Sequence, residues 1–548
     1  MLKNTFIFSC FLFFFCCCAP KKEKADLILH HAVIYSVDPS FSLFQAIAVK
    51  DGKIIGLGSN EAVLAAYQAS ETLDAGGKFI FPGFIDAHCH FLAYGKGLRQ
   101  VSLVGTRSFK EVLERVQAFS KKDPESGATG WIIGRGWDQN DWDKKQYPTN
   151  EGLSQLFPGR PVILFRVDGH AALINNEALK RAGINSGTRV TGGEILRRGN
   201  TLSGILIDNA VDLVTRKIPE TEQKDLTEAL LGAQNHCLKL GLTTVDDAGL
   251  MKNEVDLIDS LQRSGKLKIR LYAMLSDSLP NYAWYLEKGP YRTERLNVRS
   301  FKFYADGALG SRGACLLKDY SDKPGWKGFL LSSPTHFEKY ALILDQKGFQ
   351  MNTHCIGDSA LRMILNVYEK SMTKNTDRRW RIEHAQVIEP RDLKRFNKNI
   401  LPSVQPTHAT SDMPWAIDRL GKDRLKHAYV YQELLEAAGT LALGTDFPVE
   451  DVSPFKTFFA AVTRQDSSGN PIKGFQPENA LTRRQAIRGM TIWAAYANFE
   501  EKEKGSLEKG KKADFVILDT DLMKANIRST LKTKVLATYI NGEKVYPR

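Results

Sequence analysis

Apolar and polar positions alternate with period two at both ends of the chain, and strand-like runs alternate with helical periodicity between them. Residues 25–37 (ADLILHHAVIYSV) alternate as a strand does. Residues 46–58 (AIAVKDGKIIGLG) read as a hairpin, because Asp51-Gly52 separates two apolar runs. Residues 513–518 (ADFVIL) and 534–546, with Asn541-Gly542 at their turn, repeat the pattern near the carboxyl end. The two ends, 25–80 and 511–548, are therefore expected to build one small flanking β-sandwich. In the middle, β-type runs at 84–90, 242–247, 269–275, 300–305, 349–354, 380–383, 401–405 and 441–446 are separated by amphipathic helical stretches. This order predicts an α/β fold, a (β/α)8 barrel of the TIM type over residues 81–510. The stretch from about 106 to 219 is too long for one crossover helix and is expected to be an inserted subdomain over the barrel mouth.

A chain of 548 residues with 43% hydrophobic and 25% charged residues has the make-up of a soluble globular protein of several domains. The net charge of +13 is scattered, with no basic stripe interleaved with aromatics, so nucleic acid is not an expected partner. An anionic membrane surface, or solubility alone, accounts for it better. Lys3, the apolar run 6–15 and then Cys16-Cys17-Cys18, Pro20 and a charged stretch resemble a bacterial lipoprotein signal over residues 1–18. A small residue precedes the lipidated cysteine in such signals, which favours Cys17 or Cys18. The run lacks the usual Leu-x-Gly/Ala pattern, and an ordinary cleaved signal is the alternative. The expectation is an exported protein, lipid-anchored in the bacterial cell envelope, with the oligomeric state open. Cys89, Cys237, Cys315 and Cys355 are too scattered for a disulfide scaffold and read as buried small residues. The charged run 501–512 reads as a solvated linker.

The candidate chemistry starts at KFIFPGFIDAHCHF, residues 78–91. Period two puts His88 and His90 on one side of a strand, where two neutral imidazoles can hold one metal ion. Plain hydrogen bonding in a core is the alternative for so short a motif. Lys302 sits between aromatics on an apolar run, where an ammonium is costly to desolvate. A neutral amine there can add carbon dioxide to become a carbamate; an ion pair with Asp306 is the other reading. His354, His384 and Asp446 fall near the ends of the fifth, sixth and eighth runs. Carboxyl ends of barrel strands share one mouth, so ligands distant in sequence become neighbours.

In order along the chain, PGFIDAHCH, FYADGALGSRGA, THCIGD, RIEHAQ, SVQPTH and GTDFPVE resemble the amidohydrolase superfamily of metal-dependent hydrolases. The resemblance is closer to its amidohydrolase-3 group, which includes the N-substituted formamide deformylases, and it covers nearly everything after the signal. It implies one or two divalent ions, zinc foremost. His88 and His90 would bind the first, Lys302 would be the carbamylated bridge, His354 and His384 would bind the second, and Asp446 would stand beside the first. Thr445 and Phe447 depart from the usual Ser and Ala, a change that bears on the pocket rather than on ligation.

The implied activity is hydrolysis of a non-peptide C–N bond in a small amide by a metal-bound hydroxide, with Asp446 as the catalytic proton carrier. Trp137, Asp138 and His170, from the inserted segment, and Asp306, Arg312, Gln405 and His408, just after strands, are candidate substrate contacts. The competing readings are a deaminase or lactonase on the same platform, and a surface lipoprotein that binds metal or solute without catalysis.

Overall fold

The structure is a computed structural model that describes residues 22–122, 130–219, 221–374 and 376–547. The amino-terminal signal, with Cys17 and Cys18, lies outside the described residues. Among the described residues no helix is long and apolar enough to cross a membrane.

Eight parallel strands form the centre: β1 (Phe84–Cys89), β2 (Leu242–Leu250), β3 (Arg270–Ser276), β4 (Leu296–Tyr304), β5 (Gln350–Cys355), β6 (Trp380–His384), β7 (Ile400–Val404) and β8 (Ala442–Leu443). Each pairs with the next, and β1 pairs with β2. The last strand is much shorter than its apolar run suggests. The seam between β8 and β1 is closed just beyond it, where Asp446 N donates to His88 O at 2.7 Å and His90 N to Phe447 O at 2.8 Å. The result is a nearly closed (β/α)8 barrel. Strand β4 shows how sequence sets its two faces. Phe301 and Phe303 pack outward with Tyr282, Phe337 and Tyr340 of the surrounding helices, and Lys302 between them points inward. The helix Asp358–Ser371 covers the barrel through Leu361, Ile364, Leu365 and Tyr368, the spacing of one helical face.

Polar groups fill the barrel interior below the mouth, and Arg381 ties several of them together. Arg381 is fully buried and donates to Asp246 at 3.0 Å, to Ser403 Oγ at 2.9 Å, and to Ala87 O. Asn498, just after the helix Ile492–Ala497, donates to Asp246 at 2.7 Å from the opposite end. A buried guanidinium is tolerable only with this many partners.

Two further sheets come from the termini. Glu23–His30, Ala46–Lys50, Lys53–Gly58 and Tyr67–Asp74 form one; Val33–Tyr35, Leu43–Phe44, Phe79–Pro82, Phe515–Leu518, Val535–Ile540 and Glu543–Tyr546 form the other. Leu27, Ile47, Ile80, Phe515 and Tyr539 lie in one shared core. The charged run 501–512 is not a solvated linker. Lys504 is buried and pairs with Glu500 at 2.6 Å, Glu503 pairs with Arg292 at 2.7 Å, and Leu507 is 1% exposed. Alternating signs let it fold back as a packed, paired segment.

The insertion carries a six-stranded sheet of Val101–Ser102, Ile132–Trp137, Val162–Arg166, Ala171–Ile174, Gly193–Arg198 and Thr201–Asp208. Its first strand lies upstream of residue 106. The turn between Val162–Arg166 and Ala171–Ile174 carries Asp168 and His170 to the barrel mouth.

Candidate metal centre

His88, on β1, has its orientation fixed from behind. Glu383 Oε2 accepts from Nδ1 at 2.5 Å, which leaves Nε2 as the nitrogen without a proton. Burial drives the His88 pKa down to about 4, helped by nearby Lys302. Burial would raise the Glu383 carboxyl, but Arg381 and His88 hold it at about 2. The imidazole is thus neutral and its carboxylate partner charged, the state a metal ligand requires.

Around Nε2 the other candidates converge. Lys302 Nζ lies 2.9 Å away, and Asp446 Oδ1 3.7 Å. His90 Nε2 is 3.2 Å from the same Asp446 oxygen. The His384 ring lies 4.9 Å from that of His88 and 4.6 Å from that of His354, centroid to centroid. His88, His384 and Asp446 each offer a ligand atom within 4.8 Å of the others. Burial holds His354 and His384 well below the usual histidine range, and His90 is lowered too. His354 Nε2, His384 Nδ1 and Asp446 Oδ1 are buried with no hydrogen-bond partner. Orphaned acceptors in a buried cluster cost free energy unless something binds them, and neutral imidazoles with a carboxylate are a donor set for a divalent cation. The residues fit such an ion.

Backbone strain marks the same place. His384 has φ +70° and Asp446 φ +63°, left-handed values uncommon outside glycine. The turn at His384 breaks strand alternation, so Glu383 and His384 both serve the site. Asp86 braces the seam: its Oδ1 accepts from His88 N at 3.2 Å and Thr445 N at 3.0 Å, and its Oδ2 from Thr445 Oγ1 at 2.7 Å.

Lys302 is fully buried, and burial lowers its pKa to about 8. It does not pair with Asp306. That carboxylate accepts from the backbone N–H groups of Cys315, Ile356 and Gly357 at 2.7, 3.0 and 2.8 Å, and so folds the loop after β4. Asp446 carries a different balance. Burial would raise it, yet contacts from His408 and His90 hold it well below the carboxylate range. His408 Nε2 is 3.2 Å from Asp446 Oδ2, and its Nδ1 is 3.0 Å from Glu450 Oε1.

His90, Lys302, His354, His384, His408, Asp446 and Glu450 line a cavity of about 680 Å³, together with Tyr94, Arg135, Asp138, Arg166, His170 and Trp415. Of the expected substrate contacts, Asp138, His170 and His408 reach it. Trp137 lies in the insertion core, donating to Leu164 O at 2.7 Å, and Arg312 turns away to pair with Asp322 at 2.8 Å. Asp306 is a loop brace, and Gln405 is buried with its amide unpartnered, neither of them on the cavity wall. Sequence reasoning passed over Glu383, Arg381, Asp86 and Glu450. The signal for the first pair was present: charges at 381 and 383 on an otherwise apolar strand share an inward face.

Residues 71–546 match the amidohydrolase family. The chain belongs to that family. It is similar to the protein LONG AFTER FAR-RED 3 of Arabidopsis thaliana, 34% identical over 95% of this chain and 92% of the relative. It is also similar to the N-substituted formamide deformylase of Arthrobacter pascens, 26% identical over 96% of this chain and 99% of the relative. The crystal structure of an uncharacterized metal-dependent hydrolase from Pyrococcus horikoshii superposes with a TM-score of 0.73 at 28% identity, covering 91% of this chain and 99% of that one. Family and fold support a hydrolase, and the His/Asp cluster is a candidate metal site.

Proposed function

We propose that the chain hydrolyses a non-peptide carbon–nitrogen bond in a small amide, a formamide being the leading candidate. The observation that supports this most is the meeting of four neutral imidazoles, a buried amine and one low-pKa carboxylate, all but His88 on the wall of a single cavity. In this reading His88, His90, His354, His384 and Asp446 would hold one or two divalent ions, zinc foremost, and Lys302, as a carbamate, would add a carboxylate-type ligand. The formamide deformylase similarity supports the substrate class. A divalent ion supplies a Lewis acid that lowers the pKa of water from about 15.7 to about 7 and polarises a carbonyl.

The chain's own groups do the rest. Asp446 is ionised at neutral pH and its Oδ1, unlike the Oδ2 held by His408, has only His90 Nε2 within hydrogen-bond distance, so that oxygen takes the proton of the attacking water and passes it to the leaving nitrogen. His408, anchored by Glu450, keeps Oδ2 in place. His170 has Nδ1 bound to Asp208 at 2.6 Å, and as the imidazolium, with a proton on Nε2 as well, it would donate to the oxyanion. Burial opposes a proton on His170, but the Asp208 carboxylate outweighs burial and raises its pKa, in keeping with a donor. For Lys302, a pKa near 8 keeps part of the amine neutral at physiological pH. Nζ then bonds to the carbon of carbon dioxide and releases a proton.

The test is turnover by zinc-loaded protein across formamides, acyl-amino acids, hydantoins and lactones. Amine release from a formamide or acyl amide, abolished in Asp446→Asn, is expected; turnover of lactones alone would refute the reading. The amino-terminal pattern supports, within the same proposal, lipid attachment at Cys17 or Cys18 in the cell envelope. Replacing both with Ser should move the protein from the membrane to the soluble fraction.

A further inference from the structure

Arg135 is a guanidinium with nothing to hold. It lies on the inserted strand Ile132–Trp137 and lines the cavity. Its Nε is buried without a hydrogen-bond partner, and its Nη2 meets only Val167 O, at 3.3 Å. It has no ion pair among the described residues, whereas the other cations of the cavity wall are engaged. Arg166 is held by Asp138 at 2.5 Å, by Asp168 and by Gln139 Oε1 at 2.9 Å. Lys456 pairs with Asp451 at 2.6 Å, and Lys302 faces His88. The acids whose charge reaches Arg135, Asp446 and Asp168, are bound elsewhere: the first to His408, the second to Arg166 and His170 N. A desolvated guanidinium without a counter-charge is expensive, and its fork matches two oxygens of a carboxylate.

The surroundings accommodate such a ligand. Gly169, at φ +74°, lets the guanidinium lie against backbone, for a Cβ there would stand 3.0 Å from Nη2. Alongside, the strand Val101–Ser102 runs parallel to Gly134 and Arg135. With Leu98 and Val104, which are 43% and 59% exposed, Val101 gives the cavity an apolar flank.

We propose that Arg135 is an anion subsite, and that the amide hydrolysed here carries a carboxylate held by Arg135 and an apolar body laid on Leu98, Val101 and Val104. This rests on the reading that the site cleaves C–N bonds, and two experiments separate the two claims. The first is calorimetric binding of hexanoate and hexan-1-ol, neither of which contains a carbon–nitrogen bond, to zinc-loaded protein. Wild type should prefer hexanoate, and Arg135→Met should lose about tenfold to a hundredfold of hexanoate affinity, with Arg135→Lys in between. Unchanged hexanoate affinity in Arg135→Met would mean that the anion goes to the metal, and would overturn the subsite. The second needs no variant: kcat/KM of wild type for N-formyl-leucine against its methyl ester. A preference of about tenfold or more for the free acid is expected, and an ester turned over equally well overturns the proposal even if Arg135→Met does not fold. Arg135-dependent binding without turnover of either compound would refute C–N hydrolysis and leave the subsite standing.

Discussion

Asp446 combines three properties that seldom meet in one side chain: full burial, a depressed pKa and a left-handed backbone. Asp446→Asn keeps the size but cannot accept a proton, so kcat should fall by about a hundredfold or more while bound metal, measured by plasma mass spectrometry, stays near the wild-type level. Lys302 offers a separate test in metal-free, uncarbamylated protein. Its pKa is about 8 when folded and about 10.5 otherwise, so between those values the unfolded chain binds the extra proton. Wild type should therefore gain stability as pH rises from 8 to 10.5, up to roughly 3 kcal/mol by denaturant titration, and Lys302→Met should lack that slope. The ligand types at 88, 90, 302, 354, 384 and 446 were legible because imidazole, amine and acid at strand ends are chemically conspicuous. Arg135 and Glu383 were not singled out for these roles, since only folding shows which charge lacks a partner and which one backs an imidazole.

At the scale of elements, the seam between β1 and β8 governs the site. Strand β8 spans only Ala442–Leu443, and past it the chain is held by Asp86 and by backbone bonds to His88 and His90. Gly444 sits against that seam: a Cβ would lie 2.5 Å from His88 N and 2.8 Å from His88 O. Since backbone cannot swing aside as a side chain can, Gly444→Ala should lower the melting temperature by several degrees and weaken metal binding together. A variant that keeps both would show the seam to be slack. The barrel strands were readable from runs of apolar residues, but the brevity of β8 was not. Its residues look like their neighbours, and tertiary geometry alone decides where pairing stops. Charge run 501–512 misled for the same reason, because alternating signs satisfy water or one another equally well on paper.

At the scale of the whole molecule, the barrel mouth and the inserted segment, distant in the chain, surround one cavity, and two buried imidazoles there, His354 and His384, each have a ring nitrogen without a partner. A bound ion would supply it, so binding and folding are coupled. Removing it with a chelator should lower the melting temperature, and an ion at a hundred times its Kd should restore about 2.7 kcal/mol. The most direct test of the central claim is metal content per chain in purified, zinc-equilibrated protein, measured for wild type, His88→Ala and His384→Ala, with folding checked by circular dichroism. About one or two equivalents in wild type, and a clear loss in both folded variants, is the predicted result. Wild type free of metal after equilibration, or variants that bind as much as wild type, would contradict it.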